Sequence, residues 1–196
     1  MYEPFRWIIL FTFFITTGIS AFFRYQARKT ETISRRSEGL RWALVRLCIG
    51  LPLFLSIVIY IVNPNWMSWS EIHLPGWARW VGAVFAIGSL PWIFALFSYI
   101  GGNISETVLT KNSHELVETG PYRWVRHPLY SGSLLMLAGI GLMAANAFIL
   151  SLVFISWVGV VFLIIPAEER NLIERFGEEY ELYRSRTGKL LPKFLD

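Results

Sequence analysis

Five apolar stretches of 17 to 21 residues each set the folding problem for this chain. They are Trp7–Phe23, Leu44–Val62, Trp80–Ile100, Leu129–Ala145 and Phe148–Ile165. None contains Asp, Glu or Lys, and Arg46, near the start of the second, is the one arginine within them. An α-helix rises about 1.5 Å per residue and a bilayer core is about 30 Å thick, so roughly 20 residues cross it. Lipid offers the backbone no hydrogen-bond partners, which makes such runs helices. The predicted fold class is therefore all-α: a polytopic membrane bundle of about five transmembrane helices. Composition agrees, because 54% of the residues are hydrophobic and 16% are charged. A soluble domain carries about a quarter charged residues.

The basic residues predict the orientation, since cytoplasmic connections are enriched in Lys and Arg. Arg24, Arg28, Lys29, Arg35, Arg36 and Arg41 follow the first run, Lys111, Arg123 and Arg126 follow the third, and Arg170 to Lys193 follow the fifth. Only Arg6 and Arg79 fall near the opposite side. Five crossings with the N-terminus outside and the C-terminus cytoplasmic place every basic segment on one side. Trp66, Trp69, Trp77 and Trp80 then form an outer aromatic belt. The first run has its positive charge after it, unlike a cleaved signal peptide, so it reads as a retained helix. The last two runs are joined by little more than Asn146 and read as a helical hairpin. Pro52 and Pro91 read as kinks, and Cys48 as a small hydrophobe. Residues 1–196 are expected to form one membrane domain, with a three-helix part over 1–100 and the functional part over 101–196. A compact chain leans toward a prokaryotic inner membrane over an endoplasmic reticulum.

Two segments carry more functional groups than a connection needs. The first spans Gly101–Tyr130 and includes Gly120-Pro121, a turn signal, and His127-Pro128 just before an apolar run. Proline suits the first turn of a helix, whose unpaired N–H groups and partial positive charge favour an anion. Tyr122 and Tyr130 add ring faces that attract cations. The same residue types also serve as plain interfacial anchors. The second segment begins at Pro166. Glu168 and Glu169 stand where an inner boundary usually carries Lys or Arg; they are either solvated or hold a polar partner, as a carboxylate holds hydroxyls or an ammonium. Beyond them Leu172, Ile173, Phe176, Tyr180 and Tyr183 recur at helical spacing and predict an amphipathic helix, packed on the bundle or lying in the interface. No nucleophile triad, phosphate loop, Gly-rich dinucleotide turn or metal-ligand cluster is present; His73, His114 and His127 are scattered.

The blocks G-P-Y-R-W-V-R-H-P-L-Y-S-G (Gly120–Gly132) and E-E-R-N-L-I-E-R-F-G-E-E-Y (Glu168–Tyr180), joined by an apolar hairpin, resemble the isoprenylcysteine carboxyl methyltransferase and phospholipid methyltransferase family of membrane enzymes. The resemblance extends from about Ser113 to Phe194. It implies S-adenosyl-L-methionine as cofactor, bound at the cytosolic ends of the last two helices. It further implies cofactor contacts at His114, Glu115, Leu116 and Val117 (the family's H-x-L-V segment), at Tyr122, at His127, Pro128, Leu129 and Tyr130, and at Glu168. Isoprenylcysteine members carry an arginine one turn before that glutamate; here the position is Ile164, which sets the prenylcysteine substrate apart from the cofactor assignment.

Methyl transfer from a sulfonium asks the protein mainly for positioning and a suitable field. His127, Tyr130 and Glu169 are the expected catalytic residues, with His127 or Glu169 receiving the proton if the acceptor is an amine. A carboxylate or thiolate needs no base. The expected acceptor is lipophilic: a prenylcysteine-type carboxylate, a phospholipid amine, or a small thiol or acid, with membrane lipids as neighbours and no nucleic acid or metal. Two other classes stay open on sequence. A sterol-type reductase using NADPH also carries an R-H-P-x-Y block, and a non-catalytic membrane protein needs no cofactor at all.

Overall fold

A computed structural model describes residues 3–29, 40–100 and 116–193. The helices run α1 (Glu3–Arg28), α2 (Leu40–Val62), α3 (Gly76–Ile100), α4 (Pro128–Ala144), α5 (Ala147–Gly159), α6 (Ile165–Phe176) and α7 (Glu178–Arg186). Short 3-10 turns at Pro64–Ser70 and Gly120–Arg123 join them, and a π turn over Val160–Ile164 links α5 to α6. The expected all-α membrane bundle is what forms. Among the described residues four helical stretches are long and apolar enough to cross a bilayer, and α4 is a shorter apolar fifth.

Large apolar side chains point outward all round the bundle: Phe14, Phe54, Val84, Phe154 and Phe162 are all exposed. Water would not tolerate such continuous apolar surface on a monomer. The core is narrow by comparison, with Ile9, Ile57, Tyr60, Ala86, Ile93, Ile140, Met143 and Ile149 buried. Its tightest contact joins α3 to α4. A Cβ on Gly139 would lie 2.5 Å from the Gly82 carbonyl oxygen and 2.8 Å from the Ala86 nitrogen. Small residues allow this approach, and lipid-immersed helices need it because packing rather than water expulsion holds them together.

One end of the bundle is closed by caps. Asn146, buried between α4 and α5, accepts from the Ile149 N–H at 3.1 Å and donates to the Met67 carbonyl at 3.0 Å. Ala145 before it takes the left-handed conformation, φ +47°. The hairpin read from sequence is thus tied to the Pro64–Ser70 turn. The two arginines at this end have structural duties: Arg6 donates to the last carbonyls of α2, and Arg79 to the Met143 carbonyl near the end of α4. Helix C-termini leave such carbonyls without partners, and a cation satisfies them. Trp66, Trp69, Trp77 and Trp80 are exposed around the same end.

At the other end the structure departs from a simple amphipathic helix. Gly177 (φ +54°, ψ −126°) breaks the run into α6 and α7. The break turns Tyr180 and Tyr183 inward, where both are buried. Of the alternatives for this stripe, α7 packs on the bundle.

Candidate active site

The first functional segment is positioned from below by α3. Gly120 has φ +60°, and a Cβ there would meet the Tyr99 ring at 2.6 Å. Only glycine suits both demands. The turn it starts buries Pro121 and Tyr122. Trp92 of α3 lies over Gly132 and donates from its indole to the Pro128 carbonyl at 3.1 Å. That contact fixes the first turn of α4, and with it His127 and Tyr130.

The glutamates arrive on the long helix that leaves α5. In its π turn the Ile165 N–H bonds to the Val160 carbonyl five residues back. Pro166 follows and has no N–H to give. One extra residue in a turn rotates everything after it by about 100° relative to an unbroken helix. Glu168 and Glu169 follow that rotation, and both face the start of α4. The Tyr130 hydroxyl donates to Glu168 Oε1 at 2.6 Å. His127 stands between the acids, its Nδ1 3.5 Å from Glu168 Oε2 and its Nε2 3.3 Å from Glu169 Oε1. Arg126 Nε reaches Glu169 Oε1 at 3.0 Å.

Burial separates the two acids. The Glu169 side chain is 9% exposed and its partner Arg126 8%, whereas Glu168 keeps 24%. Glu169 is committed to Arg126 and His127. Glu168 has one oxygen on Tyr130 and the other beside His127, and its more exposed carboxylate still has lone pairs for a further donor. Burial by itself would lower the basicity of His127; the hydrogen bonds that the imidazole donates to Glu168 and Glu169, and the charge of those carboxylates, outweigh it and leave the imidazole's pKa raised. The Tyr122 phenol is pushed far up by burial, with smaller contributions from Tyr183 and Glu168, and stays neutral.

The C-terminal segment completes the site in a way the sequence reading missed. Residues beyond α7 run alongside 124–127: the Arg126 N–H donates to Gly188 and the His127 N–H to Lys189, at 2.8 and 3.1 Å. Ser131 Oγ donates to the Leu190 carbonyl at 2.6 Å, and Tyr183 donates to the Tyr122 carbonyl at 2.7 Å. Arg126 also donates to the carbonyls of Arg184 and Thr187. No periodicity announces such a strap, because it rests on backbone pairing, to which side-chain pattern is blind.

Of the site residues expected from sequence, Tyr122, His127, Pro128, Leu129, Tyr130, Glu168 and Glu169 gather at this end. Leu116 and Val117 are half-buried just before the Gly120 turn. His114 and Glu115 lie outside the described residues. Ile164, one turn before Glu168, is buried and apolar. Among the described residues no group of His, Cys, Asp and Glu is arranged to hold a metal.

Fold and site together define an integral membrane helical protein whose polar centre joins the start of one helix of a hairpin to the end of the other. The chain belongs to the phospholipid methyltransferase family, whose model matches residues 77–179, just over half of it. A yeast protein-S-isoprenylcysteine O-methyltransferase (Saccharomyces cerevisiae) is 40% identical over 96 residues, covering 47% of this chain and 39% of its own. Methanethiol S-methyltransferase 1 of Bradyrhizobium diazoefficiens is 35% identical over 71 residues, 36% of this chain and 24% of its own. The chain spans less than half the length of these curated relatives. The solved eukaryotic intramembrane Ras methyltransferase, isoprenylcysteine carboxyl methyltransferase, shares the fold: TM-score 0.52 at 19% identity, over 82% of this chain and 54% of that one.

Proposed function

We propose that this protein is a methyltransferase that uses S-adenosyl-L-methionine to methylate a lipophilic acceptor inside the membrane. The observation that carries the reading is Glu168, a carboxylate oriented by Tyr130 at the site's edge with acceptor capacity to spare. When bound, the cofactor supplies a methyl group already activated on a sulfonium. Glu168 and the backbone around Leu116 and Val117, with His114 and Glu115 before them, would hold its polar ends. Tyr122, His127, Pro128, Leu129 and Tyr130 would line its body. The family match and the curated methyltransferase relatives support this over a reductase.

The residues divide by role. Tyr130 and His127 border Glu168 and belong to the binding surface. Glu169, buried against Arg126 and His127, is a positioning residue in this proposal and not a base. The protein's contribution is then placement of acceptor and donor, together with exclusion of water by the strap. A sulfonium loses its charge in the transition state, so a strongly anionic centre would favour the ground state. Keeping Glu169 neutralised by Arg126 and His127 avoids that.

Calorimetric binding of S-adenosylhomocysteine to the detergent-purified protein tests the reading, with Glu168→Ala as control. Saturable binding that the substitution weakens is expected; a folded sample that binds no adenosyl ligand overturns it. The orientation, with the N-terminus outside and the C-terminus cytoplasmic, is part of the proposal. A C-terminal fusion reporter active only in the cytoplasm checks it.

A further inference from the structure

His127 has a carboxylate oxygen against each of its ring nitrogens. Nδ1 lies 3.5 Å from Glu168 Oε2 and Nε2 lies 3.3 Å from Glu169 Oε1, with the imidazole side chain buried between them. A neutral imidazole has one N–H and one lone pair. In either tautomer a neutral ring would turn that lone pair on a carboxylate. Only the imidazolium donates on both sides. The local charges then balance, Arg126 and His127 against Glu168 and Glu169.

The rest of the surroundings leave His127 as the group that can change its charge. The Tyr130 ring stacks on the imidazole with centroids 5.9 Å apart, and its hydroxyl already donates to Glu168. The phenols of Tyr122 and, from α7, Tyr180 are pushed up by burial and stay neutral. Tyr183 of α7 donates to the Tyr122 carbonyl. The strap meets His127 through the Lys189 carbonyl, while the Lys189 side chain is exposed. From α1 and α2 the charges of Arg24 and Arg46 reach the Tyr130 hydroxyl. Arginine keeps its proton throughout the neutral range. Within this set the imidazole is the group that titrates near neutral pH.

Glu168 is the accessible side of the balance, 24% exposed against 9% for Glu169. A ligand ammonium that takes Glu168 brings positive charge into a centre that is already neutral. It also cancels the counter-charge that Nδ1 faces. Loss of the Nδ1 proton restores the balance, and the Nε2–H still donates to Glu169.

We propose that His127 is the internal counter-ion of Glu168, and that an incoming ligand ammonium replaces its Nδ1 proton, so that cofactor binding releases a proton from this residue. The proposal rests on the methyltransferase reading for the identity of the ligand. The Nδ1–H bond breaks, its electron pair stays on the ring nitrogen, and the proton passes to solvent. His127 is thus a positioning residue that holds the Glu168 carboxylate in place until the ligand amine arrives. Affinity rises with pH through the range in which the ligand-free imidazole carries its proton, and levels off above it.

The test is calorimetric titration of the full-length detergent-purified protein with S-adenosylhomocysteine at about pH 7, in phosphate and in Tris, whose ionisation heats differ widely. The difference in heat between the buffers counts the protons released. Expected is a net release approaching about one proton, with affinity rising up to about tenfold per pH unit between about pH 6 and 7. His127→Gln should bind with no release and a flat pH profile. In parallel, NMR of the unaltered protein carrying isotope-labelled histidine should show one of its three imidazoles pass from charged to neutral on adding ligand. That readout needs no variant. Saturable binding with equal heat in both buffers overturns the proposal and leaves the methyltransferase reading standing. So does a release that survives in folded His127→Gln. A folded protein that binds no adenosyl ligand overturns both.

Discussion

The Tyr130 hydroxyl and the Glu168 carboxylate are joined by a 2.6 Å hydrogen bond that links the first turn of α4 to the helix leaving α5. The two residues are far apart in sequence, and the hairpin between them fixes their distance. A hydrogen bond to a charged group is worth about 1.5–3 kcal/mol. Tyr130→Phe should therefore weaken S-adenosylhomocysteine binding about tenfold or more by letting Glu168 turn away. Glu168→Ala should cost at least as much, and the double variant no more than slightly beyond it, since both act through one carboxylate. Calorimetry reads all three; additive losses would mean that the residues act separately.

Arg126 and Glu169 form the buried ion pair beneath that contact, both side chains under a tenth exposed. Removing one partner strands a buried charge, at a cost of about 3–5 kcal/mol. Arg126→Met or Glu169→Leu should each lower the apparent melting midpoint strongly at fixed detergent and scan rate. Arg126 also holds the carbonyls of Arg184 and Thr187, so its loss should additionally make the C-terminal strap sensitive to protease. An unchanged midpoint in both variants would remove the pair from the framework of the site.

His127 predicts a pH dependence with a definite sign. Its pKa in the folded protein is raised by Glu168 and Glu169 against the opposing effect of burial. A raised value means that the folded state binds the proton more tightly than the unfolded chain. The stabilisation is present in full below the unfolded value, about 6.5, and is lost as pH rises through the folded value. The melting-midpoint difference between the parent and His127→Gln should accordingly be largest near about pH 6 and shrink toward about pH 9. A difference independent of pH over that range would show that the imidazole is not charged.

Gly139 supplies a packing test away from the site. Its missing Cβ faces backbone atoms of Gly82 and Ala86, which cannot step aside as a flexible side chain would. Gly139→Ala should cost about 1–3 kcal/mol or more through forced separation of α3 and α4. Gly88→Ala on the same α3, with nothing within 4 Å of the added carbon, should be neutral or mildly stabilising, since alanine favours the helix. Equal midpoints for the two variants would show that the helices are not in close contact.

Asn146 tests the opposite end. It caps α5 and reaches the Met67 carbonyl from a buried position. Asn146→Ala should destabilise by about 1–3 kcal/mol, since a lost cap and a stranded buried acceptor add. S-adenosylhomocysteine affinity should barely move, because the residue lies across the bundle from Glu168. A selective loss of affinity with an unchanged midpoint would contradict that separation.

Much of this was legible in the chain alone. Apolar runs near 20 residues with no acidic residue have one economical solution in lipid, so the helices, the hairpin at Asn146 and the grouping of basic segments followed from length and composition. The polar blocks around His127 and Glu168 stood out because they carry more functional groups than a connection needs, although the same residue types also serve as interfacial anchors. What side-chain pattern could not express was register. It continued one amphipathic helix through Gly177, where a single positive φ turns Tyr180 and Tyr183 inward, and it was silent on the strap, which pairs by its backbone with residues 124–127 and is held there by the Ser131 and Arg126 side chains.

The tertiary structure alone decided which acid does what. Glu168 and Glu169 are adjacent and chemically alike, and nothing in their order distinguishes them. The π turn before Pro166 and the packing of α4 send one carboxylate to Tyr130 at the edge and the other to Arg126 in the interior. Sequence determined which segments enter the membrane because that depends on summed transfer free energy along each segment. The roles of individual charges depend on distances between segments, and those exist only once the helices have packed.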